Sequence, residues 1–170
     1  LTPEGLSEFN SLLGQEHYDA VVHAAAVSDS TIAGIRADGR EVAPGQGKLG
    51  STADVTLHLA PTAKLVDHLR AWSRNPALRI VAFKLTRGAG PAAARAAVEP
   101  LFSRARADAV VHNDLDAIDA ASGRFPATLW RADGSSTPLA SREALADALV
   151  EFILATGAER TPPAPVPAHS

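Results

Sequence analysis

The sequence runs to 170 residues, 46% hydrophobic and 21% charged, enough for one domain with a packed core of ordinary globular composition. A net charge of −3 gives no general attraction to nucleic acid or to an anionic membrane, and the lack of cysteine excludes disulfides and thiolate chemistry. No apolar run approaches the roughly 20 residues that span a bilayer, and Leu1-Thr2-Pro3-Glu4 does not open like a secretory signal, so the expectation is a soluble, cytoplasmic protein.

In chain order, Thr2 as N-cap, Pro3 in the first turn and Leu6, Phe9, Leu12 and Leu13 on one face predict a helix over 2–16. The nearly continuous apolar run 19–27 reads as a strand buried on both faces. Residues 30–53 show no clear period and hold Gly34, Gly39, Pro44, Gly45, Gly47 and Gly50. They read as a long loop, which in a compact domain is usually functional or mobile. Residues 55–59 alternate like a half-exposed strand, and Pro61-Thr62 opens a helix reaching Trp72. A second buried strand covers 78–85, an Ala-rich helix started by Gly88-Ala89-Gly90-Pro91 runs to about Arg106, and a third strand covers 108–113. Asp133-Gly134 between two short runs is a hairpin signal, and Ser141 starts a last helix ending near Thr156.

Strands alternating with helices predict an α/β fold: a Rossmann-like, three-layer parallel sheet with helical crossovers and a C-terminal antiparallel hairpin. Residues 1–157 form the single domain and 158–170 a disordered Pro-rich tail. Ligands of such sheets sit beyond the C-terminal strand ends. That rule points to Ser28-Asp29, to Lys84 through Gly90, and to Asn113-Asp114.

Each candidate has a functional and a plain reading. Asp29, at the mouth of a strand, could bind ribose hydroxyls, a base amino group or a metal through water, or it could cap an Asx-turn. Gly88-Ala89-Gly90-Pro91-Ala92-Ala93 fits the loose form of a dinucleotide fingerprint. The acidic partner would be Asp108, however, which begins its strand on the wrong side of the sheet, so a Pro-started helix is the better reading. Lys48, among the glycines of 44–51, could close over phosphates or be a solvated charge. Lys84 ends a buried strand, where simple solvation explains it less well, and Asn113-Asp114 could be turn chemistry. Only three of the sixteen basic residues are Lys (Lys48, Lys64, Lys84), in a chain that otherwise uses Arg. The histidines show no metal-ligand spacing, no Gly-x-Ser-x-Gly elbow is present, and 5% aromatics cannot build a base-stacking platform.

In order, Ala24-Ala25-Ala26-Val27-Ser28-Asp29, Gly47-Lys48-Leu49-Gly50-Ser51, residues 57–65, Val81-Ala82-Phe83-Lys84-Leu85 and residues 110–115 resemble blocks of phosphopantothenate–cysteine ligases, over roughly 19–156. The resemblance implies an enzyme of coenzyme A synthesis. CTP or ATP, with Mg²⁺, activates the 4′-phosphopantothenate carboxylate as an acyl nucleotide, and the amine of cysteine then displaces the nucleotide. It implies that Ala25, Ala26 and Asp29 line the nucleotide or substrate site. Lys48, in the closing loop, and Asp29 would be the catalytic pair. Phe83 and Lys84 would border base and phosphates, with Asn113 nearby. It also implies a homodimer, and no protein-held metal site. Gly50-Ser51 after Lys48-Leu49 departs from the several lysines common in the family's loop and leaves CTP or ATP open. The family's opening strand and Gly-Gly-Thr-type phosphate loop have no counterpart ahead of Leu1, so the resemblance is to the C-terminal part, with the first half expected from a longer chain or a companion.

Two other readings stand beside it. One is a nucleotide-binding, dimerising domain without catalysis. The other, a short-chain-dehydrogenase-like protein binding NAD(P), lacks the Tyr-x-x-x-Lys pair, because the only tyrosine, Tyr18, has Val22 four residues on.

Overall fold

The computed structural model describes residues 3–43 and 54–155. Helix α1 (Pro3–Gln15) leads into β1 (Ala20–His23), and β5 (Arg79–Thr86), α3 (Pro91–Ser103) and β6 (Ala109–Asp114) form a strand–helix–strand unit. Strand β5 pairs in parallel with β1 on one side and β6 on the other. The hairpin of β7 (Ala127–Arg131) and β8 (Ser136–Leu139) completes a five-stranded sheet in the order β1-β5-β6-β7-β8, antiparallel from β6 onward. Gly134 takes a φ of +86° in its turn, and Asp133 Oδ1 accepts the Ser135 amide at 2.8 Å. Helix α4 (Arg142–Leu154) is capped by Ser141, whose hydroxyl accepts the Ala144 amide at 3.2 Å. The expected α/β, Rossmann-like architecture is what the chain adopts.

The three layers follow from residue alternation. Leu13, Leu69, Ile80, Ala82, Val98 and Val110 form one core, between the sheet and α1, α3 and the short helix α2 (Leu69–Trp72). Val81, Val111, Leu129 and Leu145 form the other, under α4. Ala109, Val110 and Val111 are fully buried, which is why β6 reads as an unbroken apolar run. At the N-terminal edge Arg70 Nη2 meets Asp108 Oδ2 at 2.8 Å, the same oxygen accepts the Ile80 amide at 2.7 Å, and Arg70 Nη1 donates to the Leu78 carbonyl at 2.9 Å. Asp108 is therefore a structural anchor on the edge away from the strand C-termini.

Two expectations are corrected. The first half of the supposed loop over 30–53 is a hairpin, β2 (Ser30–Ala37) and β3 (Arg40–Val42), which joins β4 (Val55–Pro61) in a separate antiparallel sheet of order β3-β2-β4. Its turn is Asp38-Gly39, with φ of 49° and 77° as a type I′ turn requires. Residues 44–53, and Lys48 with them, lie outside the described residues, as does 156–170. The helix expected from Pro61-Thr62 starts later. Pro61 ends β4, a 3₁₀ turn covers Leu65–Asp67 and α2 covers only Leu69–Trp72, because the amide of Thr62 is held by the Asp29 carbonyl, just ahead of β2, rather than by a helical turn. No helix among the described residues is long and apolar enough to cross a membrane.

The small sheet is amphipathic and leaves its apolar face open. Directly opposed residues of an antiparallel pair share a face, so the pairs Ile32–Leu59, Ile35–Leu57 and Ala37–Val55 place these side chains together. Ile32, Leu57 and Leu59 are 53%, 50% and 64% exposed.

Candidate functional site

Strands β5 and β6 end in register at Thr86 and Asp114, while β1 stops at His23, which pairs with Ala82 further back along β5. Beyond His23 the chain leaves the sheet through Ala24–Ser28, which has no regular structure, and turns at Asp29 into β2. The β1–β5 register sets His23 beside Ala82, so the chain leaves β1 toward Ala25 and Ala26 at the level of Phe83, with Asp29 further along. The strand expected to continue to Val27 stops four residues earlier, and Asp29 lies at the junction of the two sheets.

That junction is held by a clasp. Thr62 Oγ1 donates to the Ser28 carbonyl at 2.5 Å, and the Thr62 amide donates to the Asp29 carbonyl at 3.0 Å. Among the described residues the Asp29 carboxylate caps no turn. Its Oδ1 accepts a bond from Lys64 Nζ at 3.2 Å.

At the ends of β5 and β6 a second network forms around Thr86. Its hydroxyl donates to Asp114 Oδ2 at 2.8 Å and lies 2.8 Å from His112 Nε2. Since the carboxylate only accepts, the one hydroxyl proton is committed to it, and His112 must supply its own Nε2–H to Thr86. Burial pushes the His112 pKa down, which keeps the ring neutral; Asp114 opposes that shift and Lys84 adds to it. Asp114 also accepts the Gly88, Ala89 and Asp116 amides at 2.9, 2.8 and 3.0 Å. These bonds, the Ala89 amide first and the Thr86 hydroxyl next, hold its carboxyl down at about 2. The Gly88–Gly90 loop is therefore strapped to β6. Two amides that a fingerprint loop would aim at a phosphate are taken by a carboxylate, and α3 starts from Gly90 as N-cap with Pro91 in its first turn. An open cleft of about 490 Å³ adjoins this network, lined by His112, Asp114, Pro126, Thr128 and Pro138 among others.

The sequence-based candidates separate by strand alternation. Phe83 packs under α4, and Asn113, two residues beyond Val111 in the same core, shares that face. Asn113 is 6% exposed and donates from Nδ2 to the Pro126 carbonyl at 2.8 Å. Lys84 faces the opposite side, in register with His112. Phe83 and Asn113 thus flank the sheet edge on one face, with Lys84 on the other. Thr86, His112 and Asp114 were not singled out as site residues. Only strand-end position hinted at two of them, Asp114 and Thr86 within 84–90, because a network closed through one hydroxyl leaves no periodic trace in sequence. Among the described residues no group of three His, Asp or Glu stands together to hold a metal.

No protein-family model matches this chain, and no curated protein sequence does. Solved structures do. The chain superposes on the DNA/pantothenate metabolism flavoprotein from Streptococcus pneumoniae with a TM-score of 0.74 at 22% identity, covering 89% of this chain and 69% of that one. The two share a fold. The C-terminal domain of the coenzyme A biosynthesis bifunctional protein CoaBC matches with a TM-score of 0.52 at 14% identity, over 89% of this chain and 59% of that one. The chain therefore spans 69% and 59% of these neighbours' lengths. Their names fall in the same metabolism as the family that the sequence resembles.

Proposed function

We propose that this chain carries the nucleotide-binding and acyl-transfer part of a phosphopantothenate–cysteine ligase. The observation that supports it most is convergence. Sequence blocks around Ala25, Phe83 and Asn113, far apart in the chain, meet at the C-terminal edge of one parallel sheet, where such sheets take ligands.

In this reading a carboxylate oxygen of 4′-phosphopantothenate attacks the α-phosphorus of CTP or ATP and pyrophosphate leaves. The amine nitrogen of cysteine then attacks the acyl carbon, and the nucleoside monophosphate departs with the bonding pair. No enzyme nucleophile is needed, so the protein contributes positioning and charge stabilisation. Ala25, Ala26 and Asp29 line the bound reactants, Phe83 and Asn113 border the base, and Lys84 supplies positive charge from the other face. Lys48, outside the described residues, closes over the phosphates and with Asp29 forms the catalytic pair. Because no described cluster suits a metal, Mg²⁺ would arrive on the triphosphate, and no step here depends on its geometry. The open apolar face of the small sheet supports a homodimer, and the pathway implies the cytoplasm.

The test is a calorimetric titration of this chain with CTP and with ATP, each with Mg²⁺, followed by pyrophosphate release on adding 4′-phosphopantothenate and cysteine. Saturable binding of one triphosphate and release dependent on both substrates is the expected result. Binding without release would favour the non-catalytic domain, and absence of binding would refute the nucleotide site.

A further inference from the structure

Lys64 is set at the site by the hydrogen bonds of its neighbour Thr62 and by strand pairing, not by its own ion pair. Strand β4 ends at Pro61, opposite Ser30, and the clasp at Ser28, Asp29 and Thr62 fixes the two segments without help from side-chain charges. Lys64 then begins the 3₁₀ turn with extended φ and ψ of −78° and 113°, caps nothing with its side chain, and reaches Asp29 Oδ1 at 3.2 Å.

The fold gains little from this ion pair. Its side chains are 45% and 78% exposed, and an exposed pair of this kind contributes close to nothing measurable. An ammonium has three protons, and among the described residues Asp29 accepts one of them, while the side chain is 45% exposed to solvent. Asp29 unaccompanied would also repel a phosphorylated ligand from its own site. A cation held beside it removes that repulsion, and a compact, flexible ammonium can shift from carboxylate to phosphate at small cost. The chain uses Lys here although thirteen of its sixteen basic residues are Arg.

We propose that Lys64 is a ligand-binding residue: its ammonium, parked on Asp29, transfers to a phosphate oxygen of the bound reactant while Asp29 turns to the reactant's hydroxyl or amide donors. This rests on the function proposed above. The shared chemistry is a phosphate group, carried either by 4′-phosphopantothenate or by the nucleoside triphosphate.

The experiment titrates 4′-phosphopantothenate, CTP and ATP, with Mg²⁺ for the nucleotides, into the wild-type chain, Lys64→Gln and Lys64→Arg at low and at high salt, with thermal melts alongside. The expected result is that Lys64→Gln weakens at least one phosphorylated ligand by about tenfold, the size of one charge-assisted hydrogen bond. Its salt dependence should flatten and its melting temperature stay within about 1 °C, as for other exposed pairs. Lys64→Arg should recover part of the loss. Loss for 4′-phosphopantothenate alone assigns the contact to its phosphate, and loss for the nucleotide alone assigns it to the triphosphate. Affinities within twofold for every ligand would overturn the proposal, as would losses that track a lowered melting temperature. If the wild-type chain binds none of the three, the functional reading itself fails and this inference falls with it.

Discussion

Replacing Thr86 by Val removes one hydroxyl and keeps the shape, which isolates the network at the strand ends. Two bonds of 2.8 Å disappear, one to Asp114 Oδ2 and one from His112 Nε2. The two partners do not suffer equally. Asp114 lies at the surface and retains three backbone amides, so water can replace the hydroxyl at little cost. His112 is 7% exposed, and its Nε2–H would be left buried without an acceptor, a loss of about 1–3 kcal/mol. At about 2–4 °C per kcal/mol for a domain of this size, the melting temperature should fall by roughly 2–12 °C. Thr86→Ser, which keeps the hydroxyl, should fall much less. Circular-dichroism melts at pH 7.5 measure both, and carboxyl NMR should show the Asp114 pKa rising from about 2 while staying below the ordinary Asp value, since the Ala89 amide remains its largest cause. A Thr86→Val melt within 1 °C of wild type, or a Thr86→Ser variant equally destabilised, would show that the hydroxyl does not hold His112.

His23 and His112 both have pKa values lowered by burial from 6.5. The unfolded chain therefore binds more protons below that pH, and stability should be full above about 6.5 and decline as pH falls through the lowered folded values. Melts from pH 8 to 5 should show this slope, and His112→Asn should reduce it. Arg79→Ala should destabilise by about 1–3 kcal/mol, because Arg79 donates to the Phe152, Ile153 and Ala155 carbonyls at the end of α4; hydrogen exchange should accelerate first in the last turn of that helix. Leu59→Glu, on the open face of the small sheet, should shift a dimer toward monomer in sedimentation velocity without a large change in melting temperature, and an unchanged sedimentation coefficient would remove this face from the interface.

Much of the main sheet was legible because its signal is strong. Buried parallel strands read as unbroken apolar runs, as in Val110 and Val111, and Asp133-Gly134 marked the terminal hairpin. The same two-residue signal at Asp38-Gly39 was passed over because the flanking residues lie on a sheet exposed on both faces, where apolar alternation is diluted by Ser30, Gly34 and Arg36. The helix through 61–72 was drawn too long because propensity does not record that Thr62 is bonded to residues 28 and 29, more than thirty positions away. For the candidate site, strand-end positions pointed to Asp29, Lys84 and Asn113. Alternation along the predicted strand already sets Phe83 and Lys84 on opposite faces, but it could not show which face lies under α4, nor that Asp114 already occupies the amides of the Gly88 loop.

The clasp between Asp29 and Thr62 also bears on how the chain can vary. It makes the small sheet an excursion whose two ends meet, entering and leaving the main fold through adjacent hydrogen-bonded residues. The entropy of closing such an excursion grows only with the logarithm of its length, about 0.6 kcal/mol per doubling. Residues between the clasp points therefore form a cassette: they can be lengthened, shortened or exchanged for another hairpin while β1, β5 and the edge they share keep their register.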